Sequence, residues 1–262
     1  MSRARLIELA FAALAAVLLA AWLLPPAKGG SAERLVAAER LYAEGVELAS
    51  KDEAASTARF AESAEILAQE LAAHDTSAIR FNRANALLRA GDLGRSIAEY
   101  RAALLRAPAD ASIASNLSEA RRKVANAPSP PEEHPVERAR ALWGALTERV
   151  RLGAAALLLI AGFAALHLRR TALAAACLAL GVLLGATVAL DLVSRATASL
   201  AVLREPSMLR KGNGDGFDAA LAEALPVGTE CRILESRPGW LEVELGDSLR
   251  GWVKDTSVAR VD

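Results

Sequence analysis

The stretch 152-LGAAALLLIAGFAALHLRRTALAAACLALGVLLGATVALD-191 is 40 residues of nearly unbroken apolar sequence, interrupted near its middle by Arg169 and Arg170. As one helix it would run about 60 Å, roughly twice the hydrocarbon core of a bilayer, with both guanidinium groups in lipid. Each charge at mid-membrane costs about 3 kcal/mol on the most lenient scale. Folded back on itself, the segment keeps the arginines at the water interface. The reading is a transmembrane helical hairpin with spans at 152–168 and 171–191. The segments before and after it then lie on one side of the membrane. Gly181 and Gly185 stand at small-xxx-small spacing on the second span, which permits close helix contact.

The N-terminus carries a second membrane signal. Arg3 and Arg5 precede sixteen apolar residues, 9–24, which Pro25-Pro26 end. Residues 1–30 read as a signal peptide or an uncleaved N-terminal anchor, and both options stay open. Either way Ser31 onward is exported, and the first span of the hairpin returns the chain. Arg169-Arg170 then form a cytoplasmic turn, and the second span exports the C-terminal part. Arg149, Arg151 and Arg195 flank the outer ends, so the positive-inside bias is only half satisfied.

Composition argues against several classes. Lys+Arg and Asp+Glu balance at 31 each, which gives no reason to expect a nucleic-acid partner. Cys177 sits within the second span and Cys231 in the C-terminal part, so no disulfide between them is expected. His74, His134 and His167 stand far apart, without metal-ligand spacing. There is no H-E-x-x-H, G-x-S-x-G, P-loop or C-x-x-C. The expectation is a protein that is not an enzyme, with no catalytic residue, no metal site and no cofactor.

Residues 33–126 are Ala/Glu/Arg-rich and helical in period. The clearest unit is 77-SAIRFNRANALLRAGDLGRSIAEYRAALLRAPAD-110. A first helix ends at Gly91-Asp92; a second runs from about Arg95 to Arg106 and stops at Pro108. Small residues Ala84, Ser96 and Ala103 stand where two helices must approach, and Leu87, Ile97, Tyr100 and Leu104 supply apolar faces. The unit resembles a tetratricopeptide repeat, with Ala84, Leu87, Ser96, Tyr100, Ala103 and Pro108 on the signature positions. It departs from the pattern at Arg80 (usually Trp), Arg83 (usually Leu) and Ser96 (usually Ala). Residues 41–71 read as a degenerate copy, with Ser56, Phe60 and Ser63 echoing Ser96, Tyr100 and Ala103. Phe60 and Tyr100 are 40 apart, which calls for an insertion near His74-Asp75 or longer helices. Residues 111–124 read as a closing helix. A generic helical bundle is the alternative.

Residues 127–135, with four prolines in nine positions, form a stiff linker. Residues 136–151 read as a juxtamembrane amphipathic helix with Trp143 at the interface. From 197 to 262 the character is β: an opening strand at 200–204, then ECRILES (230–236), WLEVEL (240–245), LRGWV (249–253) and a closing strand at 258–261. Pro226-Val-Gly228-Thr229, Pro238-Gly239-Trp240 and Gly251-Trp252-Val253 resemble the bacterial SH3-like (SH3b) domain, a small all-β barrel. Trp240 and Trp252 either pack that barrel or line a ligand groove.

The fold class is thus a multidomain membrane protein: α-helical tetratricopeptide-like repeats, a transmembrane helical hairpin and a small all-β SH3-like barrel. This order resembles the BatE-type proteins of bacterial aerotolerance operons. The resemblance implies a non-enzymatic adaptor in the bacterial inner (cytoplasmic) membrane, with repeats and barrel outside the cytoplasm. Its implied partners are von Willebrand A-domain membrane proteins, alongside the lipid bilayer. The repeats would offer a concave face to a partner helix or extended segment, with Asn82, Asn85 and Arg89 as contacts. Asn85 would clamp a partner backbone, or else cap a helix or face water. The alternative is an envelope sensor that binds peptidoglycan through the barrel.

Overall fold

A computed structural model of the chain describes residues 11, 13–20, 23, 32–126, 128–131, 143–144, 146–196 and 199–261. The expectations for 1–30, for the linker beyond 131 and for a helix over 136–151 fall largely outside these residues. The chain divides into two compact units. One is built from 1–28 and 135–196, the other from 29–134 and 197–262.

The second unit begins with five helices: α1 (Ala32–Leu48), α2 (Glu53–Leu71), α3 (Ser77–Arg89), α4 (Leu93–Arg106) and α5 (Ala111–Arg122). Short polar residues set the starts. Asp52, Thr76, Asp92 and Asp110 each accept a backbone N–H of the first turn they precede. The Asp92 cap explains why α4 starts at Leu93, two residues before the expected position. Gly91, at φ +81°, closes α3: Gly91 N bonds Leu88 O and Asp92 N bonds Leu87 O. This is the left-handed helix stop that glycine adopts without steric cost.

The helices pack as antiparallel hairpins held by serine hydroxyls. Ser56 Oγ donates to Gly45 O at 2.8 Å and Ser96 Oγ to Ala84 O at 2.9 Å, equivalent contacts in the two hairpins. Four residues beyond each serine, Phe60 packs on Gly45 and Tyr100 is wholly buried. The 40-residue spacing of Phe60 and Tyr100 comes mainly from the longer α2, which has 19 residues where α4 has 14, and the connection 72–76 is also one residue longer than 107–110. Arg80 and Arg83 both pair with Glu99, and Arg80 also with Asp75. An ion network therefore stands where the repeat pattern has Trp and Leu.

The same unit contains a five-stranded antiparallel sheet: β1 (Leu200–Leu203), β2 (Glu230–Arg237), β3 (Trp240–Glu244), β4 (Arg250–Lys254) and β5 (Val258–Arg260), in the order β4-β3-β2-β1-β5. Pro238-Gly239 turns β2 into β3, with Arg237 opposite Trp240. A bulge between Ile233 and Glu235 bends β2. Strand β1 is the seam between helices and sheet. Successive strand residues face opposite sides, and here both sides are covered. Leu200 and Val202 join Ile97, Tyr100, Ala103 and Leu117. Ala201 and Leu203 join Leu209, Leu241, Val243 and Val253. Helices and sheet share one continuous interior across β1.

Close approach at this seam depends on two glycines. A Cβ on Gly94 of α4 would overlap the backbone of Leu203 and Arg204, and one on Gly228 would strike Val124 and Ile97. Gly228 also sits at φ +88°. Of the proline-rich linker, residues 128–131 carry no helix or strand, yet Gly246 N donates to Ser129 O at 3.0 Å. Its first residues lie against the sheet.

The first unit contains α6 (Glu148–His167) and α7 (Thr171–Ala196). Each is long and apolar enough to cross a membrane. Helix α6 begins at Glu148 because Thr147 caps it, accepting from Val150 N. The turn between them repeats the stop seen at Gly91: Arg169 takes φ +55°, Arg169 N bonds Leu166 O, and Arg170 N bonds Ala165 O. The U-turn falls on the two arginines. Gly162 packs on Leu178 and Ala174 O, and Gly181 on Leu159 and Ala155 O, so these two glycines let the helices close up. Among the described residues Gly185 has only Leu18 within 4 Å, and the spacing of Gly181 and Gly185 is therefore not what joins α6 to α7. At the far end of the hairpin Arg151 pairs with Asp191 at 2.5 Å, both buried. Thr187 Oγ1 accepts from Arg151, and Trp143 Nε1 donates to Asp191.

Candidate functional site

The helical hairpins enclose a groove with a cavity of about 410 Å³, within the range of ligand pockets. Leu35, Ala38, Glu39 and Tyr42 come from α1, Ser63 and Leu67 from α2, and Ala78, Ile79, Asn82 and Asn85 from α3. The apolar floor follows from helical spacing. On α1 positions 35, 38, 39 and 42 form one stripe, and on α3 positions 78, 79, 82 and 85 form the facing one. Ser63 Oγ donates to Ala38 O at 2.8 Å and fixes α2 beneath α1.

Asn82 is exposed and Asn85 half-buried, and both line this groove. Arg89 is exposed one turn further along α3 and does not line it. Asn85 neither caps a helix nor simply faces water. Its Oδ1 accepts from Tyr100 OH at 2.5 Å and from Asn116 Nδ2 at 2.9 Å, which ties α3 to α4 and α5. Burial pushes the Tyr100 hydroxyl up to about 12, so it stays a donor at any ordinary pH.

Trp240 and Trp252 lie on one face of the sheet, away from its interior. Trp252 pairs with Glu242 across β3 and β4, and its backbone also bridges to Arg210. Trp252 is only 7% exposed and Trp240 half-buried. Each ring already carries a cation: Arg237 lies 4.9 Å from the Trp252 ring and Lys254 5.7 Å from that of Trp240. A ligand using these faces has to displace those side chains.

Two charged clusters were not legible in the sequence. Glu230, at the start of β2, is buried and paired with Arg101 of α4 at 2.7 Å and with Arg121 of α5. The Arg151–Asp191 pair closes the hairpin. The groove residues Glu39 and Tyr42 were also missed; the apolar stripe of α1 was the available signal. Among the described residues no group of three His, Cys, Asp or Glu side chains is placed to hold a metal ion. Cys231 is buried in the sheet, which pushes its thiol up to about 12, and this disfavours the thiolate a nucleophile needs.

No protein-family model, curated protein or solved structure matches the chain.

Proposed function

We propose that the protein is a non-enzymatic, membrane-anchored adaptor of the bacterial cell envelope, similar to the BatE-type proteins. In this reading the helical hairpins are tetratricopeptide-like repeats, the sheet is an SH3-like barrel, and α6 and α7 anchor both. The carrying observation is the groove between α1, α2 and α3, which sets amide groups beside an apolar floor. Spacing supports the repeat reading: α3 and α5 start at Ser77 and Ala111, 34 residues apart. The sheet order supports the barrel reading, since a meander of β2, β3 and β4 is followed by a 3₁₀ turn that returns β5 to β1.

The seam at β1 supports the membrane layout. Residues 32–126 and 199–261 bury side chains in one interior, so they must fold in the same compartment. An even number of crossings then separates them, and α6 with α7 supplies two. The partners expected are envelope proteins, von Willebrand A-domain membrane proteins among them. The test is photo-crosslinking in cells from Asn82 and Arg89, with Thr57 on the outer face of α2 as control. Discrete protein adducts from 82 and 89 but not from 57 are expected. Absence of any protein adduct from both Asn82 and Arg89 overturns the reading.

A further inference from the structure

We infer that the groove selects an extended partner segment in which an apolar side chain stands next to a lysine or arginine. This deepens the adaptor reading and rests on it. The first argument is from hydrogen-bonding capacity. A carboxamide oxygen has two lone pairs, and those of Asn85 are taken by Tyr100 and Asn116. What Asn85 has left for a ligand is its Nδ2–H donors, and exposed Asn82 stands one turn away with the same group. Amide donors at this spacing call for acceptors on the ligand. A helix has already used its carbonyls internally, so its main chain has nothing to give them. An extended segment leaves every carbonyl open.

The second argument is from the floor. Leu35, Ala38, Leu67 and Ile79 form an apolar base within a cavity of about 410 Å³, room for a side chain of leucine or isoleucine size with its flanking backbone. The third is from charge. Glu39 is the one charged residue among the described residues lining the groove, and it makes no ion pair with any described residue. Glu39 is exposed, and a cation beside the apolar anchor pairs with it while an acid there is repelled.

The test uses the full chain in lipid nanodiscs and two blocked, fluorescently labelled nonapeptides. They are identical Gly/Ser-flanked sequences with a central Val-Leu-Lys or Val-Leu-Glu. Fluorescence anisotropy is expected to give binding of the lysine peptide about fivefold tighter than the glutamate one, the scale of one reversed, solvent-exposed charge contact. Glu39→Lys should invert the order, and Asn82→Ala should weaken both peptides together. Equal binding of the two, binding of neither, or an order unchanged by Glu39→Lys overturns the inference. Protein adducts from positions 82 and 89 in cells would then leave the adaptor reading standing while this specificity falls. Absence of adducts removes the adaptor reading itself.

Discussion

Arg121 Nη2 donates to Glu230 Oε2 at 2.9 Å across 109 residues of sequence, and the whole α6–α7 hairpin lies between them. Arg101 approaches the same carboxylate at 2.7 Å. One buried acid thus joins α4 and α5 to the first residue of β2. Removing one partner of a buried charge set leaves the others uncompensated, at about 3 to 5 kcal/mol. That is a large share of a typical domain's stability, about 5 to 15 kcal/mol. Glu230→Ala is expected to lower the denaturation midpoint of helices and sheet together, read by circular dichroism and by tryptophan fluorescence. Two separated transitions, with the helices unaffected, would contradict the shared interior.

The same seam fixes a labelling outcome. With Cys177→Ala and Cys231→Ala as background, Lys51→Cys samples the helices and Lys211→Cys the sheet, both at exposed positions. A membrane-impermeant maleimide applied to intact spheroplasts should modify both or neither. Modification of one alone is incompatible with β1 burying Val202 against α4 and Leu203 within the sheet.

Gly94 gives a third prediction. It sits on the face of α4 that meets β1, where a methyl group would overlap the Leu203 backbone rather than a movable side chain. Gly94→Ala is expected to cost about 1 to 3 kcal/mol, the usual range for overpacking, despite alanine's better helix propensity. The matched control is Ala58→Gly on the exposed side of α2, which should cost about 1 kcal/mol or less through propensity alone. Urea midpoints of the two variants decide the matter.

How legible these features were depended on the range of the interaction that makes them. Gly91-Asp92 announced a helix end and a helix start, because stop and cap use only local backbone geometry. The five strands were readable within one or two residues, since alternation in 240–245 and the Pro238-Gly239 turn are local signals. Arg169-Arg170 gave the hairpin turn through the cost of charge in lipid. The pairing of Glu230 with Arg101 and Arg121 was not readable: with 31 acidic and 31 basic residues, no local period says which ones meet. Leu200 to Leu203 did hold an unused clue. Four consecutive apolar residues in a short strand indicate burial on both faces, hence something packed behind the sheet. For the groove, Asn82 and Asn85 were named from the helical pattern of 77–110, and both line the cavity. Glu39 was missed because the upstream copy was read to begin at residue 41, whereas the helix that carries it starts at Ala32.

Stability should fall at both pH extremes for identifiable reasons. Burial raises both Cys231 and Tyr100, from 9.0 and 10.0 to about 12. Each keeps its proton longer in the folded state. Their contribution is therefore complete below pH 9 and is lost as pH climbs from there toward 12. Asp75 behaves oppositely. Burial opposes its ionisation, but hydrogen bonds and charge from Arg80 and Arg106 outweigh that and hold the carboxyl below 3.8. Its contribution is present above 3.8 and lost as pH falls further. Cys231→Val should flatten the alkaline limb of a stability profile, and Asp75→Asn the acid limb, each without altering the other. The native Cys231 thiol should also resist a thiol reagent at pH 8 until denaturant is added.

The hairpin's own ion pair supplies the last prediction, as a double-mutant cycle. Arg151 and Asp191 are 3% and 2% exposed at their side chains, 2.5 Å apart, at the end of α6 and α7 remote from the arginine turn. Truncating one partner leaves the other charge buried, which costs about 3 to 5 kcal/mol. Replacing both by apolar residues of similar volume removes the desolvation penalty with the attraction, and the net change in such cases is near zero or favourable. Arg151→Met and Asp191→Leu should therefore each lower the thermal midpoint of the full chain in nanodiscs, while the double variant recovers most of the loss. The loss in Asp191→Leu should come with a change in Trp143 emission, because that indole donates to the same carboxylate. Additive losses in the double variant would mean that the two residues act through separate neighbours, and the pair would then not be what closes the hairpin.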